Sequence, residues 1–173
     1  MHITIPGKIE EVGGIASFQR KFVKYMRNKG STCSFDLHDK NADIAFIIGG
    51  TKRFAGLLYC KRRGIPIVQR LDGINWRQHV FPFPFSLKVL KTTQNIMMQL
   101  IRRYFADIVI YQSRFVQEWW NRQYGLSHTQ EYIIHNGIDL ALFSPLEQKR
   151  VNKPYLLFVE GTFPDDDVTV KNI

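Results

Sequence analysis

Ala42-Asp43-Ile44-Ala45-Phe46-Ile47-Ile48-Gly49-Gly50, and then Gly64-Ile65-Pro66-Ile67-Val68-Gln69-Arg70-Leu71-Asp72-Gly73, is the stretch that decides the fold. Two short apolar runs, 44–48 and 65–71, flank a segment, 53–63, that reads as a helix burying Phe54, Leu57 and Leu58. Gly64 stops that helix. Strand, helix, strand at this spacing is the signature of a parallel pair joined by a crossover.

The same alternation continues outward in both directions. Towards the N-terminus, Ile3-Thr4-Ile5 reads as a strand ended by Pro6-Gly7. Gly13-Gly14 then precedes a helix over 17–29, where Phe18, Phe22, Tyr25 and Met26 form one apolar stripe and Gly30 is a good C-cap. Residues 33–37 form a weak second strand. Towards the C-terminus, 81–85 carries two prolines and reads as a loop, and Ser86 can cap a helix running to about Tyr104. A strand at 108–111, a helix through Tyr124 capped by Ser113, and a strand at 132–134 complete the series. The fold expected is α/β, a Rossmann-like, mostly parallel sheet with helices on both faces. One link departs from it: only 38–43 separates the second and third strands, too little for a crossover helix. Either the second strand is misplaced or the sheet has a trimmed edge.

The 173 residues hold one ordinary domain and the first piece of a second. Hydrophobic residues make up 45%, enough for a core, which excludes disorder as the dominant state. The N-terminus lacks a signal-like run and no stretch reaches the ~18 apolar residues of a membrane span, so secreted, collagenous and transmembrane classes are set aside in favour of a cytoplasmic protein. Cys33 and Cys60 have no metal-ligand spacing and read as two buried thiols. The net charge of +9 points to an anionic partner without choosing among nucleic acid, phospholipid head groups and a phosphorylated small molecule.

In open parallel sheets, ligands bind at the carboxyl ends of the strands, among loops and helix N-termini. Four segments sit there by position. Gly13-Gly14 and Gly49-Gly50-Thr51 let backbone approach a bulky ligand, or are plain flexible loops; neither belongs to a dinucleotide or Walker fingerprint. Arg70-Leu71-Asp72-Gly73-Ile74-Asn75-Trp76-Arg77 is a charged ligand loop or an Asp-Gly turn with solvated arginines. His135-Asn136-Gly137-Ile138-Asp139 is a hairpin by its Asn-Gly, although 138–143 does not alternate strictly and Pro145 would end a return strand early.

Taken together, these segments resemble the N-terminal domain of the family 4 (group 1) glycosyltransferases, whose GT-B architecture sets two Rossmann-like domains face to face. The resemblance rests on the Gly-Gly loop before an amphipathic helix, Ala42-Asp43-Ile44, Gly64-Ile65-Pro66-Ile67-Val68 leading to Arg70-Leu71-Asp72-Gly73, and Ala106-Asp107-Ile108-Val109-Ile110-Tyr111-Gln112-Ser113. It ends on Tyr132-Ile133-Ile134-His135-Asn136-Gly137-Ile138-Asp139 with Phe143 and Pro145, and covers about residues 1–160. It implies an acceptor-side domain at 1–143, an interdomain linker at 144–154, and at 155–173 the opening of a donor domain, with Tyr155-Leu156-Leu157-Phe158-Val159 as its first strand. It implies retaining, metal-independent transfer of a sugar from a nucleotide-sugar co-substrate to a glycan or lipid-linked acceptor, with no further cofactor. Asp72 then matches the acidic residue near the transferred sugar. Gly13, Gly14, Arg70, Gly73, Asn136, Gly137 and Asp139 fall in the segments that face diphosphate or acceptor or cross between domains. Leu71 stands where many relatives have histidine. The donor-contacting glutamate pair has no counterpart, so these residues alone are expected to be inactive and to bind nucleotide sugars weakly.

Charge adds a separate clue. From Lys52 to Ala106 there are eleven basic residues against a single acid, Asp72. Lys61, Arg62, Arg63, Lys88, Lys91, Arg102 and Arg103, with Phe83 and Phe85, suit either an anionic bilayer surface or ordinary solvated positions around a core. A nucleic-acid module is the competing class, but no RNP, KH, helix-turn-helix or zinc-knuckle signature accompanies the charge.

Overall fold

The computed structural model describes residues 1–7, 14–82, 84–138 and 140, apart from the side chain of Gln78. Its contacts divide the chain into Met1–Asn136 and Gly137–Ile173, and the fold below is that of the first unit. In chain order the elements are β1 (His2–Thr4), α1 (Gly14–Asn28), β2 (Thr32–Ser34), β3 (Ile44–Ile48), α2 (Phe54–Arg63) and β4 (Ile67–Leu71). There follow α3 (Arg77–Val80), α4 (Phe85–Tyr104), β5 (Ile108–Tyr111), α5 (Arg114–Tyr124) and β6 (Gln130–Ile133). The six strands form one sheet in the order β2-β1-β3-β4-β5-β6, and every pairing is parallel. The α/β, Rossmann-like expectation holds.

Successive strand residues point to opposite faces, and the apolar runs of β3, β4 and β5 are apolar because both faces are covered. Ala45, Ile47, Ile67, Leu71, Val109 and Tyr111 face α2, α4 and α5, which contribute Leu57, Cys60, Ile101, Val116 and Trp120. Phe46, Ile48 and Val68 face the other way, onto Phe18, Phe22, Val23 and Met26 of α1. Gly64 ends α2 at φ +69°, a left-handed conformation that a side chain would strain. Ser113 caps α5 by accepting from the Val116 amide at 3.2 Å.

The structure corrects several boundaries and one burial: in α2, Leu57 and Cys60 face the core while Leu58 is exposed. Ser86 does not cap α4; the helix starts one residue earlier, at Phe85, behind Pro84 and without a side-chain cap. The short turn α3 has no counterpart in the sequence reading. Gly14 lies not in a loop but at the first position of α1. Cys60 is a buried thiol as expected, whereas Cys33 is only half-buried, and neither forms a disulfide. The second strand covers 32–34 rather than 33–37, because Leu37 leaves the sheet and is fully buried against α2. Gly56 admits it: a Cβ at Gly56 would stand 2.6 Å from the Cβ of Leu37. The short link between β2 and β3 needs no helix, since β2 is only three residues long and 35–43 has to return over about 10 Å. Thr4 Oγ1 ties that link down by donating to the Asp36 carbonyl at 2.6 Å. Beyond β6, the described residues contain no antiparallel pairing, and most of the return arm that an Asn-Gly hairpin would use, 139 and 141–143, lies outside the described residues.

Asp39, in the same link, joins β1 to β2. Its carboxylate accepts from the Asn41 amide at 2.9 Å and contacts His2 Nε2 at 2.7 Å. The Asn41 amide first, then Ser34 and His2, hold its pKa down to about 2. A depressed carboxylate contributes stability that is complete above its unfolded pKa, roughly 4, and is lost as pH falls through the folded value. The melting temperature should therefore fall as pH drops below about 4, and Asp39→Asn should flatten that limb. An unchanged acid limb in Asp39→Asn would contradict the assignment.

Candidate functional site

A chain that goes from β1 outward to β2 and then back to β3 on β1's opposite side reverses direction between β1 and β3. At such a switch point the two following loops diverge and leave a crevice outside the carboxyl ends of the strands. The structure has a cleft of about 570 Å³ at this position. Ile5, Pro6 and Gly7 line it after β1, and Gly50, Thr51 and Lys52 after β3. Ile15, Ala16 and Gln19 come from the first turns of α1, and Gln94 and Met97 from α4.

The lining mixes apolar walls with a few polar groups, the composition of small-molecule sites. Gly50 keeps the wall thin: a Cβ there would meet Met97 Cε at 2.9 Å and Met98 Cγ at 3.0 Å. Gln69, fully buried in β4, holds this corner by donating from Nε2 to the carbonyls of Gly49 at 2.7 Å and Met98 at 3.1 Å. Two buried side-chain atoms among the described residues lack a hydrogen-bond partner, Gln69 Oε1 and Gln19 Nε2, and of the two residues only Gln19 lines the cleft. It occupies the inward row of α1 with Ala16 and Val23, is only 6% exposed, and its Nε2 has no hydrogen-bond partner. A buried amide N–H left unpaired is costly, and a functional role is one of the things that accounts for such a group.

A second constellation gathers at the carboxyl ends of β4 and β5, beyond β6. Arg70, on the α1 side of β4 and 4% exposed, reaches Asp72 Oδ1 through Nη1 at 2.5 Å. Its Nη2 donates to Asn136 Oδ1 at 2.7 Å and to Gln112 Oε1 at 3.3 Å. Asn136 in turn donates to Gln112 Oε1 at 3.0 Å. The guanidinium lies 3.8 Å from the ring centroid of Phe18, so the cation is stacked as well as paired. Asp72 is held from a second side, its carbonyl accepting Trp120 Nε1–H at 2.7 Å. Gly73 follows because Trp119 crosses there, 3.2 Å from where a Cβ would stand. Neighbouring residues of α1 serve both places: Gln19 lines the cleft and Phe18 carries Arg70.

The structure thus brings together Arg70, Asp72 and Asn136, with Gly73 behind them, and puts Gly14 at the start of the helix that walls the cleft. Arg70 is a positioning residue rather than a free anion binder, since its terminal nitrogens are occupied. Asp72 stands outside the cleft lining. Gly137 is exposed and meets nothing at its Cβ position. Gly13, Phe83, Asp139, the linker 144–154 and the segment 155–173 lie outside the described residues.

The basic patch needs correction. Arg102 is 1% exposed and belongs to the interior, where it donates to Tyr111, Asn121, the Gly125 carbonyl and Glu131. Lys61 pairs with Asp107. Topology separates the rest, because α2 and α4 run against the strands. Arg62, Arg63 and Arg103 lie in last helical turns, at the amino edge of the sheet, where cations complement the helix dipole. Phe85, Lys88 and Lys91 lie at the other end, in the first half of α4.

As site residues, Phe18, Gln19, Gln94, Gln112 and Trp119 are not marked in the sequence: Phe18 reads only as part of an apolar stripe and Gln112 only as part of a longer segment. Only Gln19 carried a signal, a polar residue on the inward row of an amphipathic helix. Among the described residues no cluster of His, Cys, Asp and Glu could hold a metal ion, and no helix is long and apolar enough to cross a membrane. The chain matches no protein-family model and no characterised protein.

Proposed function

We propose that this domain is the acceptor-side half of a glycosyltransferase that moves a sugar from a nucleotide-sugar donor to a glycan or lipid-linked acceptor. The observation that carries this reading is the switch-point cleft, with α1's first turns and an unpaired glutamine amide in its wall. A saccharide suits that lining, because its hydroxyl oxygens accept from Gln19 Nε2 and its ring C–H faces pack on Ile15 and Met97. The glycosyltransferase resemblance supports the same assignment by setting Gly14 and Asp72 beside the place of transfer. In this reading Arg70 fixes the Asp72 carboxylate and Asn136 ahead of the reaction, so that charge developing in the transition state meets groups already oriented. Nucleotide binding belongs mainly to a donor domain.

The test is amide NMR of the full chain titrated with mono- and disaccharides and, separately, with UDP- and GDP-sugars. Saccharides should move the Gln19 side-chain resonances together with the Gly50 and Thr51 amides, while nucleotide sugars bind no better than about millimolar. Micromolar binding of a nucleotide sugar, or saccharides that leave those three signals unmoved, would refute the proposal.

A further inference from the structure

The first turns of α4 leave their side chains exposed, and the short helix α3 contacts this helix. The helix is fastened to the body from Asn95, which is buried and exchanges hydrogen bonds with the Asn75 backbone at 3.0 and 2.8 Å. Phe85 lies ten residues earlier, about 15 Å along the axis at 1.5 Å per residue. All six residues from Phe85 to Leu90 are exposed, Phe85 at 82%. Four of them, Phe85, Leu87, Val89 and Leu90, are large and apolar. At 100° per residue they point about 0°, 200°, 40° and 140° around the axis. They cover an arc of about 200°, and Lys91 and Lys88, at about 240° and 300°, take the remainder. Val80 and Phe81, at the end of α3, extend the exposed apolar surface.

An apolar arc this wide, with lysines on the rest of the circumference, is the pattern of a helix that lies in a membrane interface. The charge agrees. Residues 73–105 contain no Asp or Glu, and Arg77 and Lys88 are exposed with Lys91 half-buried beside the apolar set. A second copy docked tip to tip would bring these like charges together, whereas an anionic surface would neutralise them.

We infer that the α3–α4 tip is a membrane-docking element, in which Phe85, Leu87, Val89 and Leu90 enter the interface of an anionic bilayer while Arg77, Lys88 and Lys91 contact its head groups. The cations draw the tip to the surface and the apolar side chains hold it there. This docking is independent of what the switch-point cleft binds.

Flotation of the full chain with phosphatidylcholine vesicles, alone or with roughly a third phosphatidylglycerol, tests it. Binding should require the anionic lipid and fall at least tenfold as salt rises from about 0.05 to 0.5 M, since the charges become screened. Phe85→Asp with Leu90→Asp should lose binding at least tenfold, and Lys88→Ala with Lys91→Ala should weaken it several-fold. Circular dichroism should stay unchanged in both, because the replaced side chains leave the core intact. Leu126→Asp, at an exposed apolar residue away from the tip, should bind normally. Equal binding to neutral and anionic vesicles, or none to either, overturns the inference. So does concentration-dependent dimerisation abolished by Phe85→Asp, which would assign the tip to a second copy. Displacement from vesicles by RNA at equal salt, with RNA binding lost in the same variants, would assign it to nucleic acid.

Discussion

Arg102→Ala is expected to destabilise the domain by about 3–5 kcal/mol, the largest effect of any single side chain removed outside the apolar core. Its guanidinium lies between α4, α5, β5 and β6. Nε donates to Tyr111 Oη at 2.8 Å and Nη1 to the Gly125 carbonyl at 3.0 Å, while Nη2 contacts Asn121 and, at 3.3 Å, Glu131. Glu131 also accepts from Tyr111 Oη at 2.9 Å and Gln117 Nε2 at 2.6 Å. Burial pushes the Tyr111 phenol well above its ordinary pKa, with Arg102 acting against that rise, so Tyr111 remains a neutral donor. Removing the cation strands the Glu131 carboxylate and leaves the Gly125 carbonyl and the Tyr111 oxygen without a donor. That is the costly way to break a buried pair; replacing both partners by apolar groups costs much less. Urea melts should therefore rank Arg102→Ala far below Arg102→Met/Glu131→Leu, with Arg103→Ala, an exposed neighbour, within about 0.5 kcal/mol of the parent. Equal losses in Arg102→Ala and Arg103→Ala would show that the network contributes nothing.

Arg102 and Arg103 also mark where reading the sequence stops. Both stand in the same basic run, and charge alone made them alike; only the crossing of β6 past Tyr111 makes one structural and leaves the other in water. The strands β3, β4 and β5 were legible because burial on both faces writes itself as an unbroken apolar run. Gly64 and Ser113 were legible because caps act locally. The edge strand β2 was read a residue late and ran on too far, since its outer neighbour is solvent and its link is shaped by Leu37 reaching Gly56, a contact 19 residues apart that no local pattern encodes. The same limit applies to function. The loop after β4 declared itself through Arg70-Leu71-Asp72-Gly73, but the partners that immobilise Arg70, namely Phe18, Gln112 and Asn136, come from three other places in the chain. The cleft was foreseen only as a position, at the Gly14 and Gly49-Gly50-Thr51 loops, because a switch point is a property of strand order and not of any segment.

Gln19→Leu should separate folding from binding in opposite directions. A residue kept for stability loses stability when it is replaced. Gln19 sits between Ala16 and Val23 on the buried row of α1, and an apolar side chain of similar volume suits that row better. The substitution removes an amide whose Nε2 is buried without a partner, a condition that costs about 1–3 kcal/mol. The variant should thus melt at the parent temperature or a few degrees above it, about 3–5 °C per kcal/mol for a domain of this size. Saccharide affinity at the switch-point cleft should fall by at least tenfold, roughly 1.4 kcal/mol, because the hydrogen bond that a hydroxyl oxygen would complete is gone. Gln19→Glu provides the complementary arm. It keeps the length of the side chain but replaces the N–H donor by an acceptor, so it should lose saccharide binding too, and it should lose stability as well, since a carboxylate would be buried there without a cation. Thermal melts of the three proteins, read beside saccharide titrations of each, decide the matter. A Gln19→Leu protein that is less stable and binds normally would make the glutamine a structural residue and remove the cleft's strongest claim to a ligand.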